Sequence, residues 1–154
     1  MTLITDVRLA LLDQLQTILA ANGYATSAGS NVRSGWFNEV IKVQPIGDGL
    51  IVVQRAPVAS APLAGPGAIK VSLAYSVVGA VEAGLDAYEA AMEALEADLL
   101  SCLLPEEGER PRWLPAGCSG LEVGAPEVFP PGDGQAATTV LVPIKITAVI
   151  SRQG

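Results

Sequence analysis

The last regular segment of the chain constrains the fold more than any other feature. From Ala137 to about Ser151 the side chains alternate between two faces, one of them strongly apolar, as expected for a β-strand in a sheet. Pro143 lacks a backbone N–H, so we expect an edge or a bulge on one side of the strand at this residue. The apolar face carries Val140, Val142, Ile144, Ile146 and Ile150, and the other face carries Thr139, Leu141, Lys145, Thr147 and Val149.

Two amphipathic helices are predicted before this strand. The first spans residues 5–22, with Thr5 or Asp6 as its N-cap and Gly23 in the left-handed conformation at its end. The second spans about residues 83–103. The first helix has Val7, Leu11, Leu15 and Ile18 at helical spacing, and the second has Leu85, Tyr88, Met92, Leu95, Leu99 and Cys102.

Shorter strands and connections are predicted around the second helix. The first two strands are expected to form a hairpin through the Gly-Asp-Gly turn at 45–49. Ala, Pro, Gly and Ser predominate at 55–67, where we expect a long mobile loop, and an irregular connection is expected at about 104–120. The pattern predicts a single α+β domain over residues 1–154, an antiparallel or mixed β-sheet with two amphipathic helices packed on it. The strands are expected at 39–44, 50–54, 69–76 and about 121–129, and a further loop at 24–35.

The chain is unusually apolar for its length. Hydrophobic residues make up 50% of its 154 residues, charged residues only 16%, and the mean hydropathy is +0.41. No apolar run reaches the ~18 residues that a membrane span requires, and Asp6 stands where a secretion signal would carry basic residues. We therefore expect the surplus apolar surface to be buried against other subunits, which favours an oligomer.

Charge and composition exclude several functional classes. The net charge of −7 disfavours a grip on nucleic-acid phosphates. The chain has no histidine, which excludes histidine-dependent triads and zinc sites, and two cysteines cannot build a four-cysteine site. Cys102, on a helix, and Cys118, in a loop, are predicted to be unpaired thiols. We predict no catalytic, cofactor-binding or metal-binding residue, and no enzyme activity.

Residues 86–100 hold five carboxylates and no basic residue. No Lys or Arg occurs from residue 71 to 109, so these charges have no local partner in the sequence. A solvated outer face, a functional surface turned toward a partner or a DNA path, and catalytic acids are the three interpretations. Catalytic acids are disfavoured because such pairs usually sit in a cleft whose groups separate their pKa values. Four of the carboxylates directly follow residues of the apolar stripe and form an acidic stripe beside it: Asp86, Glu89, Glu93 and Glu96.

Other sequence motifs give only weak evidence for a binding site. The glycine-rich segment 64–70 precedes a strand, whereas a phosphate-binding loop precedes a helix. The Gly-Asp-Gly turns at 47–49 and 132–134 lack the series of ligands that calcium requires. Trp36 and Trp113 stand at the edges of predicted elements, where an interface anchor and ordinary core packing are equally good interpretations.

The first quarter of the chain resembles a known family. Residues 9–35, LALLDQLQTILAANGYATSAGSNVRSG, are similar to the opening of tail terminator (tail completion) proteins of long-tailed bacteriophages. The matching pieces are the ANGY-like helix exit at 21–24, a T-x-x-G turn at 26–29 and a V-x-x-G approach to the first strand at 32–35. The later order of central strands, one long helix and a terminal strand is also similar. The loop at 55–67 and the Cys/Trp/Pro insertion at 104–120 depart from the family pattern.

The resemblance implies a structural virion protein of the tail or neck, assembled in the host cytoplasm. Members of the family form a six-fold ring that caps the tail tube, stops its growth and performs no chemistry. The implied partners are other copies of the chain, the tail tube protein and a head-completion or connector protein, with no membrane and no cofactor. DNA would pass through the ring without specific binding. We therefore expect Asp86, Glu89, Glu93 and Glu96 to help line the channel or its mouth, where like charge repels phosphates.

Three other functions remain open on the sequence. A different head–tail neck or connector component shares the size and the assembly role. A small acidic ligand-binding or enzyme domain would need a pocket with convergent carboxylates and a perturbed pKa. A non-viral interaction module would carry the acidic stripe only as a solvated helix face.

Overall fold

The computed structural model describes residues 2–58, 61–82, 88–104, 110–131 and 137–151. These residues form three α-helices and seven β-strands, and the predicted α+β class is confirmed. The helices are α1 (Leu3–Leu15), α2 (Phe37–Val43) and α3 (Tyr88–Leu103). The strands are β1 (Val32–Ser34), β2 (Leu50–Ala56), β3 (Leu63–Gly65), β4 (Ala68–Glu82), β5 (Cys118–Val123), β6 (Glu127–Phe129) and β7 (Ala137–Ser151).

The strands form one mixed sheet in the order β1-β2-β4-β7-β5. β1 is parallel to β2, and the other strand pairs in the described ranges are antiparallel. β3 adds to β4 through a tight turn at 66–67, and β6 adds to β7 beyond the end of β5. β4 and β7 pair along their whole length, from Ala68↔Ser151 to Glu82↔Ala137, and form the centre of the sheet. The strand predicted over 137–151 is therefore confirmed.

Pro143 lies where the sheet is interrupted on one side. β5 ends at Val123 and β6 begins at Glu127, so neither strand lies opposite Pro143. In the gap, the backbone N–H of Gly124 donates a hydrogen bond to the carbonyl of Pro143 (2.8 Å). On its other side Pro143 pairs with Ser76 of β4, and that ladder continues without a break. The predicted edge or bulge at this proline is confirmed.

Helices α1 and α3 pack on one face of the sheet and enclose the main core. Alternate residues of β2, β4 and β7 point toward the two helices because strand side chains alternate between faces. Each large aliphatic side chain that is fully buried here contributes about 1.5–3 kcal/mol. The predicted stripe of the second helix is confirmed for Met92, Leu95, Leu99 and Cys102, all buried, whereas Leu85 lies outside the described residues.

Helix α2 packs on the opposite face and covers a smaller core. Phe37, Val40 and Ile41 contact a cluster that includes Leu50 and Val52 of β2. This helix corrects the predicted strand at 39–44 and the hairpin at 45–49, because β1, α2 and β2 form a parallel crossover. The strand was predicted from the alternation of EVIKVQ, which covers only six residues. The apolar residues Phe37, Val40 and Ile41 have the spacing of a helical face instead. The chain thus has a third helix that we did not predict.

The first helix is shorter than predicted. Its N-cap is Thr2, whose side-chain oxygen accepts a hydrogen bond from Thr5 N (3.1 Å), rather than Thr5 or Asp6. It ends at Leu15, and a separate 3₁₀ turn follows at Ala20–Asn22. Gly23 ends that turn with a φ of 93°, so its predicted left-handed conformation is confirmed.

The predicted loops contain short elements. Residues 24–35 include a 3₁₀ turn (Ala28–Ser30) and strand β1, and residues 55–67 include the end of β2 and all of β3. Cys118 begins β5, so it lies in a strand and not in the irregular connection at 104–120. The strand predicted at 69–76 extends to Glu82, and the one predicted at 121–129 is divided into β5 and β6. None of the helices in the described ranges is both long and apolar enough to cross a membrane.

Candidate functional site

The acidic stripe lies along one side of α3, away from the core. Glu89 and Glu93 are exposed and Glu96 is half-buried, whereas Asp86 lies outside the described residues. The one ion pair in the part of the chain that the structure describes joins Lys42 to Glu39, at 3.5 Å. The three described glutamates of the stripe are therefore an uncompensated acidic surface.

Asp98 is separate from the acidic stripe and has a different environment. It is 4% exposed, and its carboxylate accepts hydrogen bonds from Ala25 N (3.0 Å), Thr26 N (2.7 Å) and Thr26 Oγ1 (2.7 Å). Asp98 has no basic partner among the described residues, but it is a buried, hydrogen-bonded group and not a solvated charge like the exposed glutamates of the stripe. A buried carboxylate is tolerated when several donors satisfy its oxygens, as they do here. Its position, three residues after Leu95 and four before Cys102, is the sequence signal that we missed.

The residues that carry the family resemblance form the connection from α1 to β1. Thr26, the first residue of the T-x-x-G turn, donates two hydrogen bonds to the carboxylate of Asp98. Gly29, the last residue of the turn, donates its N–H to the carbonyl of Ile18 (2.8 Å). A Cβ atom at Gly29 would lie 2.6 Å from that carbonyl oxygen, so only glycine fits. Val32 is buried, and Gly35 donates its N–H to Val53 O (3.1 Å) with a φ of 140°. These motif residues therefore hold the connection in place against the sheet and α3.

The two tryptophans occupy different environments. Trp36 directly precedes α2 and is 63% exposed, whereas Trp113 is half-buried and packs against the main core. The interface interpretation thus fits Trp36, and the core interpretation fits Trp113.

The cysteines are buried free thiols. Cys102 is 1% exposed and Cys118 is 5% exposed, and they do not form a disulfide. Burial raises the pKa of both thiols above the ordinary value. The predicted unpaired state is confirmed, and neither thiol has the exposed, electropositive surroundings of a reactive cysteine.

A pocket of about 210 Å³ lies between the start of α1 and the sheet, and we did not predict it from the sequence. Arg8 of α1 and Arg55 of β2 line it, together with Tyr75 of β4 and the exposed Trp36. Arg55 lies over the ring of Tyr75, with its guanidinium carbon 5.7 Å from the ring centroid. The sequence does contain one indication of this pocket at Arg55. Strand alternation places this charged residue on the same face as the core residues Ile51 and Val53.

Edge strands of the sheet carry exposed apolar side chains. Val128 and Phe129 of β6 are 49% and 44% exposed, and Leu63 of β3 is 71% exposed. β3 pairs with β4 and β6 pairs with β7, and in the described residues neither has a strand on its other side. Unpaired N–H and C=O groups beside apolar side chains form a surface that readily pairs with another chain.

Comparison with known proteins gives no assignment, since no protein-family model and no curated protein matches the chain. Within the described ranges, no group of three or more His, Cys, Asp or Glu side chains is placed to hold a metal ion.

Proposed function

We propose that this protein forms a ring that caps the tail tube of a long-tailed bacteriophage, ends the growth of the tube and joins the tail to the head. The observation that carries the assembly part of the proposal is the exposed apolar pair Val128 and Phe129 on edge strand β6. The role in phage tails rests on the family resemblance at residues 9–35. In this function the protein acts by binding other subunits through complementary surfaces, and it needs no cofactor. Its partners are other copies of the chain, the tail tube protein and a head-completion or connector protein.

A ring needs two different surfaces on each subunit that fit one another. A head-to-tail contact of this kind repeats until the rotation closes. Strand β6 offers one unpaired edge, and strand β3 offers a second edge with the exposed Leu63. The gap at Pro143 is bridged by the hydrogen bond from Gly124, so the unpaired edge on this side of the sheet is that of β6. Pairing of these edges between copies would bury apolar surface that a free subunit leaves in water.

The acidic stripe supports the proposal in a second way. Glu89 and Glu93 are exposed without a basic partner among the described residues, and copies around an axis would repeat this charge. Phosphates of DNA that passes through the ring would be repelled by such a wall, which prevents adhesion. A structure of the assembled ring that places these glutamates on the outer perimeter would contradict this part of the proposal.

The decisive experiment compares phage tails that are assembled with and without this chain, viewed by electron microscopy. We expect tubes of uncontrolled, excessive length in its absence and tubes of uniform length when the purified protein is added back. Tails of normal length in its absence would overturn the proposal. Binding to filled heads but not to tail tubes would assign the protein to a different neck component instead.

The role of β6 is tested by Val128→Lys, with Val43→Lys on α2 as its matched control. Both valines are exposed, at 49% and 82%, so neither change disturbs a core. A lysine on an edge strand opposes pairing with another strand. We expect native mass measurement to find assemblies near six times 15.8 kDa for the wild type and for Val43→Lys, and subunits for Val128→Lys. Equal assembly of all three proteins would exclude β6 as the contact.

A further inference from the structure

The pocket between α1 and the sheet combines two cations with a phenol. Its polar lining includes Arg8 and Thr5 of α1, Ser34 of β1, Arg55 of β2 and Tyr75 of β4. Arg55 and Tyr75 are paired neighbours on adjacent strands and lie on the face that α1 covers. Trp36 stands at the rim and is 63% exposed. The pocket is thus lined by four elements, α1, β1, β2 and β4, with Arg8 half-buried and Arg55 exposed.

Tyr75 has a buried hydroxyl that lacks a partner. The residue is 2% exposed, and its hydroxyl makes no hydrogen bond to any described residue. Buried polar atoms are normally satisfied, and an unpaired one costs about 1–3 kcal/mol. Burial raises the pKa of Tyr75, and the charges of Arg55 and Arg8 oppose that rise. The guanidinium carbon of Arg55 lies 5.7 Å from the centroid of the Tyr75 ring, and an acceptor in the pocket would have the phenol and both arginines among its lining groups.

The two arginines of the pocket have no carboxylate partner among the residues that the structure describes. Neither Arg8 nor Arg55 forms an ion pair within the described residues, although the chain has sixteen acidic residues and only nine basic ones. Arginine presents a planar array of donors that matches a carboxylate with two parallel hydrogen bonds. Two such groups beside an unpartnered phenol form a site built for a small anion.

We propose that this pocket is a binding site for a carboxylate group. Its volume of about 210 Å³ lies below the range of roughly 300–1,000 Å³ that holds drug-sized ligands, which favours a small anionic group. The net charge of −7 repels a nucleic-acid backbone at long range. Ile4 and Val53 provide apolar wall for the short aliphatic stem of an acidic side chain or a small organic acid.

The carboxylate has two sources, an acidic side chain of a second copy of this chain and a free organic acid. The first source would link the pocket to self-association, and the second would not. The inference concerns the free protein and does not depend on a role in phage tails.

The test of the carboxylate chemistry uses glutarate as the probe and Trp36 as the reporter. Replacement of Trp113 by Phe leaves Trp36 as the one tryptophan, since the chain has two. We expect a saturable change in its fluorescence with glutarate, at least about tenfold weaker binding in Arg8→Gln and Arg55→Gln, and weaker binding in Tyr75→Phe. Arg33→Gln is the matched control, because Arg33 is exposed on the opposite face of β1 from Val32 and Ser34. Calorimetry on the unmodified protein supplies the same affinity if the Trp113→Phe variant does not fold.

The outcomes of this test are distinct. The proposal is overturned if glutarate shows no saturable binding, or if Arg8→Gln and Arg33→Gln bind it equally well. It is also overturned if inorganic phosphate binds as tightly as glutarate. The source is then found by sedimentation velocity. The carboxylate belongs to a second copy if glutarate inhibits self-association. In that case Arg55→Gln also weakens self-association, whereas Arg33→Gln does not. Glutarate binding with unchanged self-association assigns the pocket to a free organic acid. Tails of normal length in the absence of the chain would contradict the proposed function and leave this result unaffected.

Discussion

The carboxylate of Asp98 ties helix α3 to the segment that carries the family resemblance. It accepts hydrogen bonds from Ala25 and Thr26, more than seventy residues away in sequence. Thr26 therefore has a structural role, because its hydroxyl and its backbone N–H both bind the same carboxylate oxygen. An acidic residue on the buried side of an apolar helix is costly by itself and becomes stabilising only through these donors.

Replacement of Asp98 by Ala or Asn should destabilise the protein strongly. Alanine leaves three donors unpaired, and asparagine places an NH₂ group where a carboxylate oxygen now accepts hydrogen bonds. Since a hydrogen bond to a charged group contributes about 1.5–3 kcal/mol, we expect a loss of about 3 kcal/mol in the free energy of unfolding. Urea denaturation measures it. Glu93→Gln, on the exposed side of the same helix, should change the free energy by less than about 0.5 kcal/mol. An Asp98→Asn protein as stable as the wild type would show that the bonds are dispensable.

At the level of elements, close approach of α3 to the sheet depends on a glycine in β4. A Cβ atom at Gly79 would lie 2.7 Å from Cδ2 of Leu95 and 3.1 Å from Cδ1 of Leu99. Both leucines are fully buried, so neither has free space into which it can turn. The helix therefore packs directly on the backbone of the strand at this position.

Gly79→Ala should consequently lower stability by about 1–3 kcal/mol through overpacking. Gly65→Ala is the matched control, since Gly65 lies in exposed strand β3 and an added Cβ there meets Ala68 O at an ordinary contact distance of 4.0 Å. Thermal unfolding measures both variants. The double variant Gly79→Ala/Leu95→Val should lose less than the sum of the single changes, because valine is shorter. Strict additivity would mean that the methyl group does not meet Leu95.

Elements whose pattern is long and regular could be predicted from the sequence. Strand β7 has its predicted bounds because fifteen residues alternate without ambiguity, and the core stripe of α3 follows from its helical spacing. Helix α2 could not be recognised from EVIKVQ alone. Its first N–H group is capped by Gln54 Oε1 (2.8 Å) from β2, a contact between distant residues that local pattern does not reveal.

The candidate sites were less predictable than the elements. Glu89 and Glu93 are exposed, as charged residues beside a core stripe usually are, and their place at a channel or partner surface stays a prediction. The pocket of Arg8, Arg55 and Tyr75 was missed because its residues come from α1, β2 and β4, and only the fold brings them together. The end of α1 at Leu15 was missed for the same reason, since Ile18 O is bonded by Gly29 N across a loop.

At the scale of the whole molecule, several buried groups share one dependence on pH. Burial raises the pKa of Cys102 and Cys118 above the ordinary value of 9.0, and that of Tyr75 above 10.0. In the unfolded chain these groups ionise at their ordinary pKa values, whereas in the native protein they hold their protons to higher pH. The unfolded state therefore binds fewer protons in this range, and stability falls as pH rises.

We accordingly expect stability to be full below pH 9 and to be lost as pH rises through the raised pKa values of the native protein. Each proton that only the native state retains contributes a slope of about 1.4 kcal/mol per pH unit. Urea denaturation at pH 8 and at pH 9.5 measures the difference, over a range in which the thiols of the unfolded chain ionise more than its tyrosines.

The double variant Cys102→Ser/Cys118→Ser isolates the thiols in this comparison. A serine hydroxyl keeps the donor that Cys102 presents to Gln14 O (3.2 Å) and does not titrate in this range. Whatever the variant costs in absolute stability, its stability should change less between the two pH values than that of the wild type. Two results would show that the buried thiols do not cause the alkaline loss of stability. Either the wild-type protein loses no free energy of unfolding between pH 8 and 9.5, or the variant loses as much as the wild type.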